Sequence, residues 1–211
     1  MKKIPTLFKR VFSPDHKTKT ILPEVTPGCE AVLEGRCIPT VKWDGACCAI
    51  INGEIWKRYD AKNGKKPPEG AISCQPEPDH ITGHWPHWVK CEEGKPEDKY
   101  FLEAFANWKE KTVASEVWIY GSHQKTISLE AIGIHWQNNP YRLDYDTLEL
   151  HGDDIINNDD ISNSDGTISL ESIRKMLEHT AIEGIVFWKD GQPLCKIKRS
   201  DFGFEWPVKS K

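Results

Sequence analysis

Two dipeptides, Asn52-Gly53 and Asp190-Gly191, each separate a pair of short β-prone runs, and they restrict the fold of this chain more tightly than any other feature. An Asx-Gly pair accepts the positive φ angles of a two-residue hairpin turn, whose twist matches that of the flanking strands. Residues 46–51 and 54–59 are therefore expected to form one antiparallel ribbon, and 182–188 and 193–199 a second. Between them, Phe101, Ala104, Phe105 and Trp108 recur at helical spacing within 99–111. Strands are expected near 116–120 and 127–133. Ser169 stands where it would cap a helix carrying Leu170, Ile173 and Leu177 on one face. The Gly-, Pro- and charge-rich segment 64–98 reads as irregular. Strands at both ends with helices between them define an α+β class with mostly antiparallel sheet.

Counting outward from each turn places the charged residues. In the first ribbon Ile51 pairs with Glu54 and Cys47 with Arg58, which returns Arg58 to the end where Lys42-Trp43-Asp44-Gly45 enters. In the second, Lys189 pairs with Gln192 and Glu183 with Lys198. One face then carries Glu183, Ile185, Phe187, Leu194, Lys196 and Lys198; the other carries Gly184, Val186, Trp188, Pro193, Cys195 and Ile197. Two lysines among bulky apolar groups call for a charged partner. Either Glu183 and Lys198 form a cross-strand pair on a solvated face, or the lysines hold an anion. Lys42, between Val41 and Trp43, is equally ambiguous: a surface residue beside a turn, or a nucleophile at the mouth of a pocket.

With 211 residues, the chain can form one well-buried domain or two small ones at most. The expectation is a single domain over 1–211, with 1–36 as an N-terminal extension. Hydrophobic content of 38% and charged content of 28% belong to a folded chain. No window approaches the ~18 apolar residues of a membrane span, and the basic start lacks the apolar core of a secretory signal. A cytoplasmic monomer is expected. Seven cysteines with no C-x-x-C pair read as free thiols. The net charge of −4 argues against whole-surface attraction to nucleic acid. Local basic runs remain, five Lys/Arg in 57–66 and four in 189–199.

The segment "KWDG" at 42–45 fits the K-x-D-G signature of the covalent nucleotidyltransferases, the ATP-dependent ligases and mRNA capping enzymes. "WKRYDAK", "SLEAIG…NNPY", "EGIVFW" and "CKIKR" look like that family's successive motifs in the right order. More closely, "TVKWDGACC", "GHWPHWVKC", "LEAIGIHWQNNPY", "IEGIVFW" and "IKR…FGFEWP" resemble the 5′–3′ RNA ligases of vertebrates and viruses, over about residues 37–207. The resemblance implies an ATP-grasp-like ligase adenylylation domain with antiparallel sheets flanked by helices. It implies three steps: a lysine takes AMP from ATP, the AMP passes to an RNA 5′-phosphate, and an RNA 3′-hydroxyl displaces it.

A lysine amine (pKa ~10.4) is almost wholly protonated at neutral pH, and burial beside other cations favours its neutral, nucleophilic form. That logic selects Lys42, with Arg58, Lys196 and Lys198 as the cations that also hold the α-phosphate. Pyrophosphate leaves as a multiply charged anion, so Mg²⁺ is expected, with Glu183 as an oxygen ligand. By motif position, Glu130 would contact the ribose, Arg58 the sugar or a substrate phosphate, and Thr40 and Val41 the adenine, partly through backbone. The chain departs from the family at Asn138, where relatives often have Gly, and in having no obvious base-stacking aromatic around 147–152. The thirteen residues after Lys198 are too few for an OB-fold of roughly 70 residues, which favours RNA ligase over DNA ligase or capping enzyme. The rivals are a nick-sealing DNA ligase or other nucleotidyltransferase, and a non-catalytic nucleotide- or RNA-binding module.

Other signals are set aside. His80, His84, His87 and Cys91 bunch without finger spacing, and a packed loop beside the nucleotide pocket explains them better than zinc. A calcium loop at 161–172 fails, because Ile161 and Ser172 would fall where acidic ligands belong. Cys47-Cys48 reads as strand packing.

Overall fold

A computed structural model describes residues 2–13, 19–62, 64–80, 82–112 and 126–208. The expected strand at 116–120 lies outside them. The chain forms mixed α+β structure, mostly antiparallel sheet with two α-helices among the described residues. It divides into two compact units, one of residues 1–3 and 44–150, the other of 4–43 and 151–211. No helix among the described residues is long and apolar enough to cross a membrane.

The first unit is a six-stranded antiparallel sheet. Its strands are β4 (Ala46–Ile51), β5 (Glu54–Ala61), β6 (Ile72–Ser73), β7 (Trp85–Lys90), β8 (Thr126–Ile132) and β9 (Thr147–Leu150), ordered β6-β7-β5-β4-β8-β9. The Asn52-Gly53 turn forms as expected, with φ of 52° and 80° and Ile51 opposite Glu54. Alternation then sorts β4. Cys48 and Ile50 face helix α1 (Lys99–Thr112), where Phe101, Ala104, Phe105 and Trp108 are buried, while Ala49 and Ile51 pack with Trp88 on the opposite face. Segment 64–98 is more ordered than its composition suggests. β7 pairs with β5 over six residues, Arg58 opposite Trp88 and Tyr59 opposite His87. His87 is thus a buried strand residue whose Nδ1 lies 2.8 Å from Trp85 O, and His80 is exposed beside Glu77.

In the second unit, β3 (Ile38–Lys42), β10 (Gly184–Lys189) and β11 (Gln192–Lys198) form a sheet ordered β11-β10-β3. Backbone bonds lengthen both edges. Leu7 N donates to Lys196 O (2.8 Å) and Lys196 N to Pro5 O (3.0 Å); on the far edge Val41 N donates to Asp154 O (2.8 Å). The N-terminal residues also form a hairpin, β1 (Phe8–Phe12) with β2 (Lys19–Val25), so they are integral to this unit. Ser169 caps helix α2 (Leu170–His179) through a reciprocal bond with Ser172. Ile173 and Leu177 of α2 join Ile185, Phe187, Cys195 and Ile197 in the core.

The register of the second hairpin differs from the expected one. Lys189 does face Gln192, but a bulge follows: Trp188 pairs with Pro193 and Phe187 with Cys195. Proline has no N–H for the ladder and is confined to edges and bulges, so Pro193 marks the place where the extra residue, Leu194, is inserted. Beyond it every pairing shifts by one, and Lys198 faces Gly184 instead of Glu183. The lysines therefore share a face with Gly184 and Val186, and the apolar Ile185, Phe187, Cys195 and Ile197 have the core to themselves.

Gly184 fits only as glycine. A Cβ there would lie 2.2 Å from Ile197 O and 2.9 Å from Lys198 Cα. Gly184→Ala should therefore cost about 1–3 kcal/mol by forcing β10 and β11 apart. Urea unfolding measures it, and a loss well under ~1 kcal/mol would mean that the strands separate without strain.

Candidate active site

The pairings of β3, β10 and β11 set two lateral rows on one sheet face. Lys42, Gly184 and Lys198 form the first; Thr40, Val186 and Lys196 form the second. Glu183, just before β10, is buried, with its side chain only 7% exposed. Its Oε2 accepts from Lys42 Nζ at 2.5 Å and its Oε1 accepts from Lys198 Nζ. Lys42 Nζ also donates to Trp43 O (3.1 Å). Two ammonium groups thus share one carboxylate across a strand position without a side chain. The expected link between Glu183 and Lys198 exists as an ion pair, although the two are not cross-strand partners.

Lys196 differs from its neighbours. Lys42 and Lys198 have Glu183, but no described carboxylate is in ion-pair contact with Lys196. Burial, and then the charges of Lys42, Lys198 and Arg10, push its pKa down to about 8; Glu183 opposes the shift only in part. Arg10, on β1, is a site residue that sequence reasoning missed, because the N-terminal residues were read as an extension. Its Nη2 lies 2.5 Å from Oδ1 of the buried Asp201, whose Oδ2 accepts from Lys198 N at 2.9 Å.

Thr40 and Val41 have structural roles in this arrangement. Thr40 is buried, and its hydroxyl donates to Val186 O (3.3 Å) and accepts from Trp188 Nε1 (2.9 Å). The Val41 amide is held by Asp154 O.

In the other unit, the Asp44-Gly45 turn that follows Lys42-Trp43 is held by three side chains. Tyr141 Oη accepts from Asp44 N (2.6 Å), Glu130 Oε1 accepts from Gly45 N (3.1 Å), and Gln137 Nε2 donates to Gly45 O (3.2 Å). Gly45 has no room for a side chain, since a Cβ would lie 2.0 Å from Ala131 O. Gln137, Asn138 and Asn139 all have positive φ (47°, 59° and 52°), a run of left-handed residues that aims Gln137 and Tyr141 at the turn. The doubled Asn was the available signal, as Asn tolerates that region best among residues with a side chain.

Arg58 donates through Nε to Asp60 Oδ1 (2.9 Å), and its charge acts on Cys47, its expected partner. Burial pushes the Cys47 thiol up to about 12, so it is inert packing and not a nucleophile. All seven cysteines are free. Of the basic run 57–66, Lys57 is committed to the buried Asp98, leaving Lys62, Lys65 and Lys66 exposed. In the run 189–199, Arg199 is buried and donates to Thr180 O (2.6 Å) and Glu205 O (3.0 Å), a structural clasp at the end of α2.

No protein-family model matches the sequence, and no curated protein sequence matches it.

The state of Lys196 has a measurable consequence. Below about pH 8 both native and unfolded chains keep its proton, and the native state bears the full cost of the crowded cation. Between about 8 and the ordinary value of 10.5, only the unfolded chain holds that proton, so the native state gains stability as pH rises. The stability of the wild type minus that of Lys196→Met should therefore rise through this window. Urea midpoints of both proteins below, within and above it give the answer. A difference that stays flat with pH would show Lys196 to be unperturbed.

Proposed function

We propose that this chain is an ATP- and Mg²⁺-dependent RNA ligase with a nucleotidyltransferase fold, joining a 5′-phosphate to a 3′-hydroxyl through a lysyl-AMP on Lys42. The observation that carries the reading is the row Lys42–Gly184–Lys198 closed by Glu183, with the unpaired Lys196 in the next row. A lysine used only for stability needs one counter-ion; two lysines sharing one carboxylate beside an unpaired third leave positive charge for a phosphate. The motif resemblance supplies the nucleotide and the RNA.

In the first step Lys42 Nζ attacks the α-phosphorus of ATP. The Nζ ammonium, which now donates to Glu183 Oε2, first loses one proton to solvent; its neutral amine then forms the N–P bond as the bond to pyrophosphate breaks, and the second proton leaves the new N–P nitrogen with the departing pyrophosphate. Lys198 and Lys196 hold the charge that develops on the α-phosphate oxygens. Loss of the Lys42 proton also removes one of the two ammonium partners of Glu183, so its Oε2 becomes available to a hard cation. One carboxylate oxygen together with substrate phosphates suits Mg²⁺, which rarely occupies an all-protein cage. When bound, Mg²⁺ would neutralise charge on the leaving pyrophosphate. Transfer to RNA follows by attack of the 5′-phosphate on the lysyl-AMP, and then of the 3′-hydroxyl on the activated end, with release of AMP. For Glu130 and Arg58 the motif resemblance alone supports the ribose and substrate-phosphate roles.

Incubation with ATP and Mg²⁺ should add one AMP, read by intact mass, and Lys42→Ala and Lys42→Arg should both lack it. Glu183→Ala, Lys196→Ala and Lys198→Ala should each slow adenylylation by ~10²-fold or more. An adduct persisting on either Lys42 variant would move the nucleophile elsewhere.

The choice of RNA is tested separately, by competition at one salt concentration between RNA ends and a matched DNA nick, with adenylylated intermediate and sealed product both counted. RNA should be sealed faster. Preference for the nick would replace RNA ligase by DNA ligase and leave the lysyl-AMP chemistry intact.

A further inference from the structure

Among the described residues, two cationic donors near the Glu183 row are unmatched. Lys196 has no carboxylate in contact among the described residues, and Arg10 Nε is buried with no hydrogen-bond partner. A buried donor left unsatisfied is costly, and native structures seldom keep one without a ligand or a functional reason. The two belong to one neighbourhood. β1 follows directly on the backbone bonds between Leu7 and Lys196, and the Arg10 charge acts on Lys196. Arg10 is also tied to the lysine row through Asp201, which bonds both its guanidinium and the Lys198 amide. Among the described residues, the carboxylates in ion-pair contact with any of Arg10, Lys42, Lys196 and Lys198 are Glu183 and Asp201. That excess exceeds what one α-phosphate, held by Lys196 and Lys198, would use, and Arg10 next to Lys196 is left to meet the phosphates beyond it.

We propose that Arg10 and Lys196 form a subsite for the terminal phosphates of the nucleotide, the pyrophosphate that departs when Lys42 is adenylylated. The proposal rests on the nucleotide-transfer reading for the identity of its ligand. Asp201 holds Nη2, so the guanidinium is already ordered and its buried Nε–H is the donor left for the anion. Arg10 is then a phosphate-binding residue from the N-terminal hairpin, outside every motif that marks the rest of the site.

The experiment is calorimetric titration of the full chain with inorganic pyrophosphate and, separately, with AMP. Arg10→Gln should bind pyrophosphate at least ~10-fold more weakly than the wild type, with AMP affinity unchanged. Arg10→Lys, which keeps the charge next to Asp201 but loses Nε, should fall between them. Unchanged pyrophosphate affinity in Arg10→Gln overturns the proposal. So does parallel loss of both ligands, which would make Arg10 a merely structural partner of Asp201. Where Arg10→Gln fails to fold, Arg10→Lys carries the test, and wild-type pyrophosphate affinity in that variant overturns it. A wild type that binds pyrophosphate through Arg10 yet forms no lysyl-AMP would remove the transfer reading and leave this anion subsite. One that forms lysyl-AMP and binds pyrophosphate without Arg10 would do the reverse.

Discussion

The Glu183 carboxylate, shared by the ammonium groups of Lys42 and Lys198, is the interaction on which the second unit's site depends. Burying a lone carboxylate costs several kcal/mol, and setting two lysines in one sheet row without an anion is repulsive. Each charge is tolerable only because the other two are present. The arrangement further requires Gly184, because any side chain at the centre of the row would enter the backbone of Ile197. It requires, finally, the bulge at Leu194, which turns Lys196 and Lys198 out of the core and turns Ile197 and Cys195 into it.

That bulge also marks how far the sequence could be read. Both Asx-Gly turns, both helices and the α+β class were legible because each depends on a local signal: left-handed turn residues, a 3.6-residue apolar period, a serine cap. Register beyond a turn was not, because one inserted residue reverses every face. Counting straight from Asp190-Gly191 placed two lysines beside Ile185 and Phe187, an improbable pattern for a buried strand. The conflict was itself the clue, and Pro193 the cause. β7 was missed for a different reason. It is short, begins with Trp85-Pro86 and lies within a Gly- and Pro-rich segment, so only its tertiary pairing with β5 makes it a strand. Arg10 was missed because nothing local distinguishes it from any other exposed-looking arginine; its role comes from contact with Asp201, 191 positions away in sequence.

The residues around Lys42 were legible only in part. Their types and order were visible, whereas their present engagements were not. Thr40 is held by Trp188 and Val186, Glu130 by the Gly45 amide, and Arg58 by Asp60. These bonds satisfy polar groups that would otherwise be buried unpaired. A ligand that takes any of them must replace the bond it displaces, so the net gain per contact is smaller than the contact alone suggests.

The same reasoning separates structural charges from functional ones across the molecule. Lys57 with Asp98 and Arg199 with its backbone carbonyls are saturated, and each joins elements of its own unit. A protein selected only for stability would treat Lys196 the same way, or replace it with an apolar residue, since buried charges are seldom the most stable choice. Keeping an unpaired lysine beside three other cations lowers stability at neutral pH in the absence of any ligand. An anion bound there recovers that cost on binding, and the recovered free energy adds to affinity. The charge excess on this sheet face is therefore a physical argument for anion binding that stands apart from motif resemblance. The chemistry performed on that anion depends on Lys42 losing its proton while Glu183 is beside it.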